Sequence, residues 1–516
     1  MAATYLAPLT PSDKPLTGVM LWLAALALAA ANFVVVLDMT IANVSVPSIA
    51  GDLGVATGQG SWIITSYAVA EAITVPLVGW LTARFGAVRV FSVAMGLFGL
   101  ASLLCGVANS LGLLVFARIL QGLAGGPLMP LSQILLLRIF PPRMAPAAIG
   151  LWSMTTLLAP VLGPVVGGWI CDQYSWHVIF LINVPIALGC AVLAANLLKR
   201  YELPLHRYPI DKVGLVLLVV WVGALQLMLG EGKDLDWFAS PLICALAAVA
   251  AVGFAAFLIW VLHEERPIVD LRVLRHRGFT LNVLVISWIF GTFTAASLLT
   301  PLWLQGFMGY TPTRSGLVVA WMGLFALFVA YLAARLTARV DGRRLVFAGL
   351  LWMAGVTFWR SLASTDLGYW DIALPMMCVG LGLPFLFIPG ASMALASVDE
   401  REMENAAGLM SFWRILSGAA AISLVNTVWE SSTARAHHEL VGVTDQTGKV
   451  LQGLEQSGMS AQSALQTLDH LVTSQSVMLA TNQIMLAIAV CYVVAACVVW
   501  LAPRPLRVVL PGADAY

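Results

Sequence analysis

Fourteen stretches of about 20 mostly apolar residues follow one another along this chain, separated by short charged or Pro/Gly-rich breaks. A helix of that length crosses the hydrocarbon layer of a bilayer. Inside that layer only helices and closed barrels satisfy their own backbone polar groups. The stretches lie at 18–43, 58–82, 90–108, 112–136, 147–170, 178–198, 213–231, 238–262, 279–304, 313–336, 344–363, 369–397, 406–428 and 478–501. The expected fold class is therefore an all-α membrane protein. Composition agrees, since 60% of the 516 residues are hydrophobic and only 10% charged, against roughly 25% charged in soluble domains. A net charge of +1 leaves no basic footprint for nucleic acid. The segment before the first stretch is nearly uncharged and many similar stretches follow, so residues 19–37 read as a first span and not a signal peptide.

Basic residues orient the bundle. With the N-terminus placed in the cytoplasm, twenty of the 27 Lys and Arg residues fall on the inner side and five on the outer. The remaining two, Arg118 and Arg414, lie inside spans. An odd number of spans would spoil this bias, so both termini are expected inside.

An internal repeat divides the chain. Residues 81–84 read Leu-Thr-Ala-Arg and residues 336–339 repeat them, each in the loop after an even-numbered span and each followed by a second arginine, Arg89 or Arg344. Arg84 and Arg339 thus mark equivalent places. The organisation expected is a cytoplasmic 1–17, a six-helix half at 18–198, a linker with two inserted spans at 199–278, a second half at 279–501 and a cytoplasmic 502–516. Repeated halves with a site at their interface are a transporter's architecture. One long polar outer segment, 429–477, carries apolar residues at helical spacing (Leu451, Leu454, Ala461, Leu465, Leu468, Leu471) and reads as a helical hairpin or an amphipathic surface helix.

Charges inside a bilayer are costly and mark function. Asp38, Glu71, Arg118 and Arg414 are the four. For Asp38 with Arg118 the readings are proton coupling or a fixed ion pair. Glu71 sits among Ala68, Ala70 and Ala72 and would bind proton or substrate, or make a packing hydrogen bond. Arg414 is either structural or part of a cavity. Gln121 and Gly122 share the Arg118 face, three and four residues on. On the fifth span, Gly163 and Gly167 make a flat GxxxG face between Pro160, Pro164 and Gly168, which suits close packing and a bend. That face is expected to let one half rock against the other.

These motifs carry a resemblance. Leu37-Asp38-Met-Thr40-Ile41-Ala-Asn43-Val-Ser-Val-Pro47, Arg118-x-x-Gln121-Gly122 and Gly163-Pro164-x-x-Gly167-Gly168 resemble the first-, fourth- and fifth-span motifs of the fourteen-helix drug:proton antiporters of the major facilitator superfamily. Within that branch the chain is similar to the EmrB/QacA type, in particular the Emr-type inner-membrane exporters of Gram-negative bacteria. Trp152-Ser-Met-Thr, Phe180-Leu-Ile-Asn183-Val-Pro185, Leu235-Asp-Trp-Phe238 and Pro267-Ile-Val-Asp270-Leu carry that narrower match. The resemblance implies a major facilitator fold of two six-helix halves plus two inserted helices, and proton-driven export of amphipathic drugs or fatty acids. Taken together, the residues expected at a substrate cavity are Glu71, Gln121, Asn43, Trp152 and Arg414, and those expected to pack helices are Gly122, Gly163, Pro164, Gly167 and Gly168. The partners implied are a periplasmic adaptor, contacted through 429–477, and an outer-membrane channel. The energy source is the proton gradient, with no cofactor. One departure stands out: Ala83 precedes Arg84 where the wider superfamily has an acid, which leaves a charge latch there without its carboxylate.

An enzyme is not expected. All seven histidines fall in loops or at span ends, and there is no HExxH and no phosphate-binding loop. None of the seven cysteines has CxxC spacing, so neither a metal site nor a disulfide framework is expected. A dedicated exporter of one fatty acid, siderophore or other metabolite is the alternative, because 18 Trp, 21 Phe and 19 Met suit any greasy ligand.

Overall fold

A computed structural model describes residues 16, 18–55, 57–141, 144–202, 205, 209–337, 339–399, 402–443, 455–456 and 460–503. The first six long helices are α1 (Gly18–Asp52), α2 (Trp62–Phe85), α3 (Ala87–Gly106), α4 (Leu111–Ile139), α5 (Ala145–Gln173) and α6 (His177–Leu197). The inserted pair is α7 (Lys212–Glu231) and α8 (Pro241–His263). The last six are α9 (Arg277–Gly306), α10 (Pro312–Thr337), α11 (Gly342–Arg360), α12 (Tyr369–Leu395), α13 (Met403–Val443) and α14 (Ala461–Val499). Twelve of these helices are long and apolar enough to cross a membrane, and α5 makes a thirteenth as a bent pair. The fourteenth, α11, is 19 residues long, and its hydropathy is lowered by Arg343, Arg344 and Arg360. It still packs between α12 and α14 like its apolar neighbours.

Local chemistry sets the helix ends. Ser110, Asp211, Asp341 and Ser460 each accept a backbone N–H in the first turn of the helix that follows. Arg343 beside Asp341 holds that carboxyl below the usual carboxylate range, chiefly through their side-chain hydrogen bond. Between α2 and α3 the chain turns at Gly86, whose φ of 93° favours glycine. A Cβ there would also lie 2.4 Å from the Glu202 carboxylate. That carboxylate accepts from the Val88 and Arg89 amides and so caps α3 from the far end of the half. The two prolines inside α5 do what prolines do to a helix, and its axis bends by 41° between Pro160 and Leu162. By contrast α12 runs unbroken through Gly380, Gly382 and Pro384.

The halves repeat each other's packing. In the first, α1 packs on α5 and α6, α2 on α4, and α3 on α4 and α6; in the second, α9 packs on α13 and α14, α10 on α12, and α11 on α12 and α14. The inserted α7 lies at the side, bridging α2 and α13. There Ser423 donates to the Leu229 carbonyl at 2.7 Å, Trp237 donates to Thr427 at 2.8 Å, and Lys233 meets Glu430 at 2.6 Å. Its partner α8 is apolar all round and leaves Val252, Ile259 and Leu262 at least 62% exposed, a surface suited to lipid and not to water.

The basic residues gather where α1 begins and α14 finishes, here termed the basic end. At that end α2 and α4 close on α13. Arg138 pairs with Glu404, and a Cβ at Gly79 would stand 3.0 Å from the Asn405 side chain. The α5 and α10 helices touch at both ends, through Gly150 against Ala334 and Val165 against Gly316. At the opposite end α13 and α14 outrun the bilayer. Their 41 and 39 residues span about 60 Å at 1.5 Å per residue, twice what the hydrocarbon layer needs. The described parts of 429–477 thus continue both spans, α13 running on to Val443 and α14 starting at Ala461. Leu451 and Leu454 lie outside the described residues. Of the remaining stripe, Ala461, Leu465 and Leu471 are exposed and Leu468 is half-buried, so it is not packed against the bundle.

Candidate functional site

Four helices of the first half deliver polar side chains to one dry point. Asp38 comes from α1, Ser102 from α3, Arg118 and Gln121 from one face of α4, and Asn183 from α6; each is at most 2% exposed. The Arg118 Nη1 donates to Asp38 Oδ2 at 2.5 Å and to Gln121 Oε1 at 2.7 Å, while Nε donates to the Ile63 carbonyl of α2 at 3.1 Å. The other Asp38 oxygen accepts from Asn183 at 2.6 Å and Gln121 at 3.0 Å, and Gln121 also donates to Ser102 at 2.7 Å. The guanidinium lies over the Tyr67 ring, 4.3 Å from its centroid. A buried ion pair gains little for stability over apolar packing, but breaking it is expensive.

Sequence reasoning paired Asp38 with Arg118, and the structure joins them. It placed Gln121 in a substrate cavity, and this needs correction: both polar atoms of its amide are engaged in the network and the side chain is fully buried. Asn183, Ser102 and Tyr67 were missed as site residues. The available signal was a polar group in mid-span, which Asn183 and Ser102 both give.

A second, looser constellation sits at the meeting of the halves. Glu71 on α2 is 4% exposed. Gly122 and Gly126 of α4 allow this approach. A Cβ at Gly122 would lie 2.5 Å from the Tyr67 carbonyl, and one at Gly126 would lie 3.0 Å from the Glu71 carbonyl. One turn on, Arg414 of α13 reaches into the first half and donates to the Met129 sulfur of α4. Its guanidinium stands 5.1 Å from the ring centroids of Trp152 and Phe290. Glu71 lies within electrostatic reach of Arg118 in its own half and of Arg414 in the other.

The remaining residues fall elsewhere. Trp152 is 2% exposed, with its indole N–H donated to the Met129 carbonyl and to Ser132, so it is a floor beneath Arg414 and not an open cavity wall. Asn43 is exposed on α1, off the face that carries Asp38. Gly163 and Gly167 do make a close contact, but with Thr40 and Ile41 of α1 in the same half. The expected rocking face is therefore an intra-half joint, because the other side of α5 is the one turned to α10. Pro164 is half-buried beside it and Gly168 is buried. Arg84 stacks on Trp80 and Phe85, and Arg339 is exposed just past α10.

Two six-helix halves related by a repeat, with a charge network buried in one of them, define a multi-pass membrane transporter fold. Residues 28–422 match the Major Facilitator Superfamily, and the chain belongs to that family. It is 40% identical to the fatty acid resistance protein FarB of Neisseria gonorrhoeae, over 95% of this chain and 98% of that one. It is 39% identical to the multidrug export protein EmrB of Haemophilus influenzae, over 95% and 97%, and 38% identical to EmrB of Escherichia coli K12, over 96% and 97%. Among solved structures, the proton:xylose symporter XylE shares the fold at a TM-score of 0.57 and 14% identity, covering 94% of this chain and 96% of that one.

Proposed function

We propose that this protein exports amphipathic drugs or fatty acids from the cytoplasm in exchange for protons, as the inner-membrane part of an assembly that spans the envelope. The observation that carries the reading is the buried Asp38–Arg118 pair with its Gln121 and Asn183 donors, set in a chain about 40% identical over nearly its whole length to FarB and the EmrB exporters. Protonation of Asp38 weakens the bonds it accepts from α4 and α6 and releases Arg118, so helices of one half can shift when a proton arrives. Glu71, at the joint between the halves, senses the same event electrostatically. The basic end faces the cytoplasm, and the contacts between α2, α4 and α13 seal that side. The test is uptake of a fluorescent drug into everted vesicles, with and without a protonophore. Drug movement that ignores the protonophore would sink the proton-coupled reading.

The projecting ends of α13 and α14 are assigned to the periplasmic adaptor. Replacing residues 429–477 with a short flexible linker is expected to leave vesicle transport intact, since no adaptor is present there. Resistance of whole cells, where cargo must also cross the outer membrane, should fall to that of cells lacking the protein. Loss of vesicle transport would instead make the segment part of the bundle.

A further inference from the structure

The repeat that relates the halves also relates their interiors. The register shift that carries residues 81–84 onto 336–339 carries Tyr67 onto Met322, Ser102 onto Thr357 and Cys105 onto Arg360. Aligning α4 with α12 at their first residues carries Arg118 onto Met376 and Gln121 onto Val379. All five counterparts line one cavity, enclosed by α9, α10, α11, α12 and α14 together with Phe293, Thr300 and Tyr492. The second half thus keeps the position of the first half's network and changes its chemistry. Methionine and valine stand where Arg118 and Gln121 would be, and the cation comes from α11.

That cation is unneutralised. Among the described residues no carboxylate lies within ion-pair reach of Arg360, whose guanidinium donates to Thr300 Oγ1 at 2.6 Å. Tyr492 is fully buried on the same cavity, and its hydroxyl meets no partner in hydrogen-bond geometry among the described residues. A half-buried cation without a counter-charge and a buried hydroxyl facing the same void are costly unless something fills their valences. The void itself measures about 10 Å³, room for one water. Its walls can yield, because Met322, Met353 and Met376 are unbranched side chains that repack readily.

We propose that this cavity is a second ligand site, in the C-terminal half, which takes the carboxylate of an amphipathic acid against Arg360 and its apolar chain against Phe293 and the three methionines. The site rests on the export reading only for the statement that its ligand is cargo. Binding itself needs no transport, so the two can fail separately.

The test uses the full chain in phosphatidylcholine nanodiscs, with octanoate, octanol and octylammonium as probes. Affinity is read from the dependence of Tm on probe concentration. Octanoate is expected to bind at least about 10-fold more tightly than octanol, the size of one charge-assisted hydrogen bond. Arg360→Gln should remove that advantage and leave octylammonium unchanged, while Arg360→Lys should retain part of it. Met376→Trp, which fills the void without touching the cation, should weaken octanoate as well, and it guards against a folding defect peculiar to Arg360. Equal octanoate affinity in wild type and Arg360→Gln would overturn the proposal. So would Arg360-dependent stabilisation by phosphatidylglycerol with none by octanoate, which would assign the cavity to a membrane lipid.

Discussion

Asp38→Asn is expected to abolish proton-driven export while the protein still inserts and purifies. Three donors converge on the Asp38 carboxylate, from Arg118, Gln121 and Asn183. An amide in its place offers one acceptor oxygen and turns an N–H₂ toward a donor, leaving Arg118 without its counter-charge. Removing one partner of a buried pair costs about 3–5 kcal/mol, which corresponds to at least about 100-fold in any step that must form the paired state. The fold should survive, because Arg118 keeps its bonds to the Ile63 carbonyl and to Gln121, and because the apolar packing of α1 on α5 does not involve Asp38. Asn32 of α1 donates to Thr155 and Thr156 of α5 at 2.8 Å each, and Thr40 fits against Gly163. Drug uptake into everted vesicles, normalised to protein per vesicle, checks this. Wild-type uptake by Asp38→Asn would return the pair to a purely structural role.

How much of this was legible beforehand follows from the range over which each feature acts. A span is a local property, so fourteen apolar runs translated into fourteen helices, α11 included despite its arginines. The i, i+3 spacing of Arg118 and Gln121 is local too, and it placed both on one face of α4, though it did not show the role of Gln121 in the network. Partners across the chain were not legible. Asp38 and Asn183 lie on the first and sixth helices, and nothing in either helix says that the two will meet. The direction in which a flat face points is equally non-local, so Gly163 and Gly167 were read as close-packing correctly while their partner proved to be α1. The ends of α13 and α14 were misjudged for a different reason. Hydropathy reports where lipid stops, not where the helix does, and both helices continue as polar sequence beyond the membrane. The repeat was the most productive weak signal, since a four-residue match set the register that relates the two buried sites.

Arg414→Gln is expected to slow proton-driven export by about 10-fold or more and to loosen the closed basic end. Arg414 is the one intramembrane cation among the four charges first singled out that crosses between halves, seated on Met129, Trp152 and Phe290. Opposite charges just beyond contact distance attract by about 2–3 kcal/mol at an effective dielectric near 20. That is enough to bias two arrangements of the halves by roughly 30- to 100-fold. Glu71→Gln removes the same attraction from the other side, so the two substitutions should be far from additive: the double variant should lose little more than either single one. Closure can be read directly from the distance between spin labels at Phe85 and Val340, both exposed near the basic end on opposite halves. Each single variant should shift that distribution toward longer distances, as should acidification of the wild type but not of Glu71→Gln. Additive losses, or a wild-type distribution in Arg414→Gln, would show that Arg414 serves only to pack α13 against α4. Export would then have to draw its coupling from the Asp38 network alone.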